Sequence, residues 1–204
     1  MIYNYRKTLL VVVLLFVSFP LAAQTPNFDK LKQKFDSGQV FEALYTHEFT
    51  DSYTGEVNVS EGNIWIEKEG YKLKSEDQTL VVDGETSKVY EGARNRLIIS
   101  EYDPETDDFA PSRMLNGVDS TYTISETSNG NTSEVTLKSD DAFAIFRKVE
   151  ILLNQDQYPL EITAYDVSDN VIVTTFRGGS FVEMNESIFS LKVPGNAEVV
   201  DMRY

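Results

Sequence analysis

Cysteine is absent from this 204-residue chain, and histidine and tryptophan occur once each. Without cysteine the protein has no disulfides and no thiol nucleophile. Hydrolases need a nucleophile beside a base, and the chain has neither a Gly-x-Ser-x-Gly sequence nor a second histidine. His47 lies in an apolar strand pattern and is interpreted as structural. The sequence therefore predicts a protein that is not an enzyme.

Metal and phosphate motifs are also incomplete. Asp103, Glu105 and Asp107 have the spacing of a calcium loop, but Asp108 stands where that loop requires glycine and Met114 where it requires glutamate. The segment is interpreted as a solvated acidic loop. Arg-Gly-Gly-Ser at 177–180 is too short for a phosphate-binding loop, and its glycines indicate a bulge or turn. We expect no metal and no cofactor.

The longest apolar run stands near the amino terminus. Arg6 and Lys7 precede residues 9–19, which are apolar, and Leu-Ala-Ala follows. This pattern predicts a signal peptide over 1–23, cleaved after Ala23, and a single domain over 24–204. The alternative, an uncleaved anchor, is disfavoured because about 20 apolar residues are needed to span a bilayer. No lipidated cysteine follows the cleavage site, so we expect an exported, soluble protein.

Basic residues are few. The net charge is −15, and without Arg6 and Lys7 the chain has 16 basic and 33 acidic residues, a net charge near −17. Such a surface repels nucleic acid and anionic membranes. We therefore expect no nucleic-acid partner.

A single helix is clearly indicated, at 25–38. Thr25 or Asn27 can cap it, Pro26 suits its first turn and Gly38 ends it. Its apolar face is formed by Phe28, Leu31 and Phe35.

Most of the remaining chain has the pattern of β-strands. Apolar residues alternate with polar ones such as Glu42, Thr46 and Glu48, which should face outward. The predicted inward-facing residues of the first three strands are Phe41, Ala43, Tyr45, Phe49, Ile64, Ile66, Tyr71 and Leu73. Residues 51–62 have the pattern of a turn and loop. Further strands are predicted at 79–83, 86–90, 96–101, 121–126, 133–138, 145–153, 160–166, 170–177 and 187–192.

These strands predict a mainly β (α+β) fold. We expect an unclosed, strongly curved antiparallel barrel of roughly ten or eleven strands, because strand twist accumulates across a large sheet. Its concave face forms an apolar cavity unless core side chains fill it.

One short amphipathic segment interrupts the strands. Phe109, Met114 and Leu115 share one side of a helix that starts near Pro111 and ends at Gly117. Two interpretations remain open, a fixed plug at the end of the barrel and a displaceable lid over the cavity.

The whole chain after the signal peptide resembles the LolA family of periplasmic carriers of outer-membrane lipoproteins. The resemblance lies in the order and spacing of "FEALYTHEFTD", "GNIWIEKEGYKLK", "LVVDGETSKVYEG", "APSRML", "YPLEITAYDVSDNVIVTTF" and "FSLKVPGNAEVVD". It implies an unclosed barrel with a helical lid, with Phe109, Pro111, Met114 and Leu115 in the lid. It also implies that the eight inward-facing residues line a lipid cavity.

The resemblance further implies a function and partners. Family members accept acylated lipoproteins from an inner-membrane ABC transporter and pass them to an outer-membrane receptor, and we expect a monomer. The family's lid-holding arginine falls on Lys68, and its neighbouring proline is Glu69 here. Because lysine is a point charge and arginine a planar fork, the latch is either weaker or placed elsewhere. The alternative functions are a lipoprotein-sensing or receptor domain, or a carrier of a free small lipid.

Overall fold

The computed structural model describes residues 25–104, 106–107, 109–118 and 120–203, so the predicted signal peptide lies outside the described residues. These residues form a sheet of twelve strands and three helices. No helix in them is both long enough and apolar enough to cross a membrane. The helices are α1 (Pro26–Asp36), α2 (Pro111–Asn116) and α3 (Glu186–Phe189). The strands are β1 (Gln39–Thr50), β2 (Val57–Ile66), β3 (Tyr71–Lys74), β4 (Gln78–Val82), β5 (Thr86–Glu91), β6 (Arg96–Glu101), β7 (Thr123–Asn129), β8 (Thr132–Lys138), β9 (Phe146–Asn154), β10 (Pro159–Asp166), β11 (Val171–Glu183) and β12 (Glu198–Asp201).

The sheet is curved and unclosed. Its strand order is β12-β6-β5-β4-β3-β2-β1-β11-β10-β9-β8-β7, so two consecutive halves meet where β1 pairs with β11. Neighbours are antiparallel except β12, which is parallel to β6. The end strands β7 and β12 are not paired with each other, and this leaves the barrel open. The predicted fold class is confirmed.

Several predicted elements differ from the structure. The expected strand at 187–192 is the short helix α3 followed by an extended segment. The Asn185 side chain caps α3 by accepting from the Ser187 N–H. The Lys72 ammonium donates to the Ile188 and Ser190 carbonyls, which a strand would need for pairing with its neighbour. The strand β12 was missed, and β2 begins at Val57, inside the predicted loop.

The alternation along β1 sets which side chains enter the core. Phe41 lies opposite Ile66, and Ala43 opposite Ile64, on the concave face. Glu48 is exposed, as predicted, whereas Glu42 and Thr46 are only half-exposed. The Glu42 side chain is partly shielded from solvent by a neighbour on the outer face, because the Trp65 indole donates to its carboxylate at 3.2 Å.

A bulge interrupts the pairing of β1 with β11. The register shifts between Glu42 and Leu44, opposite Arg177 and the following glycines. Gly178 has a φ of +65°, and a Cβ at Gly179 would lie 2.6 Å from the Phe41 ring. Both glycines are therefore needed, one for its backbone conformation and one for close packing.

The helix α1 covers one end of the barrel. Phe28, Leu31 and Phe35 are buried, as the sequence predicts, and Gly38 follows with a φ of +80°. Thr25 occupies the N-cap position but its side chain makes no capping bond. The Glu126 carboxylate of β7 instead accepts from the backbone N–H groups of Asn27 and Phe28, and an acidic group at this end of a helix is stabilising.

The segment from 102 to 122 joins β6 to β7 and so connects the two halves of the sheet. The helix α2 lies within it, beginning at Pro111 and ending at Gly117, whose φ of +98° suits glycine. Both ends of α2 agree with the sequence prediction.

Candidate functional site

The candidate site is the concave face of the sheet together with the segment that covers it. Of the eight residues predicted to line a lipid cavity, Phe41, Ala43, Tyr45, Ile64, Ile66 and Tyr71 are buried, and Phe49 and Leu73 are half-buried against them. They belong to one apolar cluster that extends to the opposite wall, where Val135, Leu137, Val149 and Ile151 are buried. The protein's own side chains occupy this interior, so a lipid could enter only if the cover moves.

The helix α2 places two apolar side chains in the interior. Met114 and Leu115 are almost fully buried, and Pro111 is buried at the first turn. Beneath the helix, Met114 borders a small cavity lined also by Tyr122 and Phe146. A flexible methionine over a void can change its rotamer at little cost. Contacts of this kind suit a cover that moves.

Phe109 lies before α2 and packs against three rings of the sheet. Its ring centroid is 4.6 Å from that of His47, 5.6 Å from that of Tyr71 and 6.4 Å from that of Tyr45. The contacts with His47 and Tyr71 are edge-to-face, a favoured arrangement for aromatic pairs. Phe109 therefore covers the interior beyond the reach of α2.

Asp107 ties this segment to the sheet. Its Oδ2 accepts hydrogen bonds from the Tyr71 hydroxyl at 2.8 Å and the Tyr102 hydroxyl at 2.7 Å, and its Oδ1 accepts from the Phe109 N–H at 3.0 Å. Burial and the hydrogen bond to Asp107 raise the pKa of Tyr102, so this hydroxyl remains a donor. Hydrogen bonds to a charged acceptor are stronger than neutral ones. This carboxylate is thus a polar contact between the cover and β3.

His47 lies beneath Phe109 in a site that disfavours charge. Its Nδ1 is 2.9 Å from the Thr174 hydroxyl, and burial lowers its pKa to about 4 although Asp107 acts in the opposite direction. The ring is therefore neutral at pH 7. Its contacts, a threonine and an aromatic edge, agree with the structural role predicted for it.

Lys68 contacts the cover through its backbone. Its carbonyl accepts from the Asn116 side chain of α2 at 3.2 Å, while its ammonium pairs with Asp36 of α1 at 2.7 Å. The pair is about half exposed. The proposed latch position is thus adjacent to α2, but its charge is directed to another helix.

Sequence reasoning missed Asp107 and Tyr102 as holding groups. Asp107 was interpreted as part of a solvated acidic loop, and only its position just before an apolar helix hinted at another role. No group of three His, Cys, Asp or Glu residues suited to a metal ion occurs in the described part of the chain. Glu105 and Asp108 lie outside that part.

The chain is similar to several solved structures. An uncharacterised conserved protein from Thermus thermophilus superposes with a TM-score of 0.52 at 13% identity, over 85% of this chain and 98% of that one. A LolA superfamily protein from Nitrosomonas europaea gives 0.41 at 12% identity, over 80% and 97% of the two chains. A domain assigned to outer-membrane lipoprotein sorting, from Vibrio parahaemolyticus, gives 0.39 at 12% identity, over 79% and 95%.

No protein-family model matches the sequence, and no curated protein matches it. At these identities the similarity concerns the fold alone. The Thermus thermophilus structure supports it, because its TM-score is above 0.5.

Proposed function

We propose that this protein is a periplasmic carrier that binds the acyl chains of lipoproteins released from the inner membrane and delivers them to the outer membrane. It acts by binding and release, with no catalytic step. An inner-membrane ABC transporter would load it, and an outer-membrane receptor would unload it. The resemblance in the sequence suggests these partners.

One observation carries the proposal. A curved sheet presents a continuous apolar face to residues 102–104, 106–107 and 109–118, which belong to no strand and contact it through the Asp107 carboxylate, the Phe109 ring and the buried Met114 and Leu115. A fixed plug would not need the hydrogen bonds that Asp107 accepts from Tyr71 and Tyr102. We therefore assign segment 102–118 as the lid and these three residues as its latch.

The energetics of acyl chains favour a site of this kind. Burial contributes about 0.8 kcal/mol per methylene, so one sixteen-carbon chain gains roughly 12 kcal/mol when fully buried. Several such chains would exceed the practical limit of non-covalent affinity, about −20 kcal/mol, and the cargo would not leave. Displacing Phe109, Met114 and Leu115 from the interior costs part of this gain. The lid thus keeps the affinity within a range that permits release.

The cargo can be identified directly. We expect mass spectrometry of material that co-purifies with the protein from periplasm to detect acylated proteins. Phospholipid or free fatty acid alone would instead support a carrier of free small lipids. A receptor or sensor would bind acylated protein without extracting it from vesicles.

Lid opening can be tested with a disulfide, because the chain contains no other cysteine. The Asn116 side chain reaches the Lys68 carbonyl, so Lys68→Cys with Asn116→Cys joins α2 to the β2–β3 turn. We expect the oxidised variant, its bond verified by mass, to reject a synthetic triacylated lipopeptide. Reduction should restore binding. Equal binding in both redox states would refute the lid.

A further inference from the structure

The outer face of the sheet carries a groove unrelated to the lid. The carboxyl-terminal segment crosses this face before β12 joins β6, and a space of about 480 Å³ remains between segment and sheet. Its main lining residues are Trp65, Lys72, Lys74, Thr79, Tyr90 and Lys192. Cross-strand pairing places Trp65 opposite Lys72, and Lys74 opposite Thr79. The groove thus lies on the opposite side of the sheet from the apolar interior.

Three ammonium groups meet in this groove although the chain has a net charge of −15. Lys72 donates to the carbonyls of Ile188 and Ser190 at 2.6 and 2.9 Å, and so anchors the carboxyl-terminal segment. Lys74 and Lys192 are exposed and form no ion pair with any carboxylate in the described residues. Burial lowers the pKa of Lys72, and the charges of Lys74 and Lys192 lower it further. An anion in the groove would relieve this repulsion.

The donor set indicates the kind of anion. Lysine ammonium groups bind phosphate as point charges, and a phosphate group offers them three acceptor oxygens and up to two negative charges where a carboxylate offers two oxygens and one charge. The hydroxyls of Thr79 and Ser187 border the same space and can donate to further oxygens. Trp65 and Tyr90 supply an apolar wall, which favours an ester over inorganic phosphate.

We propose that this groove binds the phosphate group of an organic phosphate, with the ammonium groups of Lys72, Lys74 and Lys192 around the anion. Its apolar part contacts the aromatic wall. The phosphate belongs either to a soluble ester or to a phospholipid headgroup. Because the remaining surface is strongly acidic, binding is confined to the groove and weakens with added salt.

Trp65 is the only tryptophan of the chain and reports on the groove directly. We expect sn-glycerol 3-phosphate to change its fluorescence saturably, and succinate to act much more weakly. Flotation with phosphatidylglycerol vesicles distinguishes the two sources. Binding of both probes identifies a headgroup site, and binding of glycerol 3-phosphate alone identifies a soluble ester.

The matched variants retain Lys72, because it anchors the carboxyl-terminal segment. Lys74→Gln with Lys192→Gln should weaken binding at least about tenfold, since charge-assisted hydrogen bonds to the anion are lost. Lys30→Gln with Lys138→Gln removes the same charge from exposed positions outside the groove and should leave binding unchanged. The proposal is overturned if neither probe gives a saturable response, if succinate binds as tightly, or if both double variants behave alike.

Discussion

The Tyr71 hydroxyl donates to the Asp107 carboxylate at 2.8 Å, which joins the lid to the third strand of the sheet. Tyr102 donates to the same oxygen from the end of β6. One carboxylate thus receives one phenol from β3 and another from the residue that follows β6. If this contact governs opening, its loss should expose the interior without altering the sheet itself.

Replacing Tyr71 and Tyr102 with phenylalanine removes both donors and leaves Asp107 half-buried. We expect the free energy of unfolding to fall by about 1–3 kcal/mol, the usual cost of a polar group left without partners. Binding of a hydrophobic dye to the empty protein should rise because the lid opens more often. Tyr53→Phe is the control, since that side chain is 95% exposed at a hairpin tip. A double variant that binds no more dye than this control would exclude Asp107 as the latch.

Truncating Met114 and Leu115 to alanine tests whether α2 is a displaceable lid or a fixed plug. Each truncation removes buried apolar surface and should cost about 2–5 kcal/mol of stability if the lid stays closed. In a carrier the change should also speed the release of bound lipopeptide. Leu137→Ala, on the opposite wall, is the matched control, because it creates a cavity in the same apolar cluster without changing a lid residue. If both variants lose stability and release at the same rate, α2 is a structural plug.

The parts of the fold that sequence predicts well are those set by local pattern. The period-two alternation along β1 places Phe41, Ala43 and Tyr45 inward, and Pro111 with Gly117 bounds α2, because both signals depend on neighbouring residues alone. The bulge glycines at 178 and 179 were predictable for the same reason.

The errors arise where distant residues decide the outcome. Residues 187–192 do not form the expected strand, because Lys72, more than 100 positions earlier, donates to two of their carbonyls. Asp107 cannot be recognised as a latch from its loop, since its donor Tyr71 is 36 residues away. Glu126 caps α1 from 98 residues away in the same manner. Side-chain contacts of this range have no periodic signature.

The Lys68→Leu substitution tests the latch position that the family resemblance implies. The ammonium pairs with Asp36 at the surface, where solvent screens the pair, so it contributes little to stability. The contact with α2 runs through the Lys68 carbonyl, which the substitution retains. We therefore expect lipopeptide uptake and release to remain close to those of the parent protein. A variant that accepts lipoprotein but does not transfer it would instead place the latch at this side chain.

Acid should loosen the lid through His47. Its pKa is about 4 in the folded protein because of burial, against 6.5 for an unperturbed histidine. Between these values the unfolded chain binds a proton that the folded protein does not, so the contribution to stability is present above pH 6.5 and is lost as the pH falls towards 4. The shift corresponds to at most about 3 kcal/mol.

Urea unfolding at pH 7.5, 6 and 5 measures this loss. His47→Gln is the matched variant, because glutamine can still bond the Thr174 hydroxyl but does not titrate. Carboxylates titrate in both proteins, so the difference between them isolates His47. We expect the parent to lose more stability than the variant between pH 6.5 and 5, and to bind more hydrophobic dye, since a charged ring beneath Phe109 favours the open lid. Identical pH profiles would mean that His47 is already hydrated in the folded protein and that the lid does not cover it.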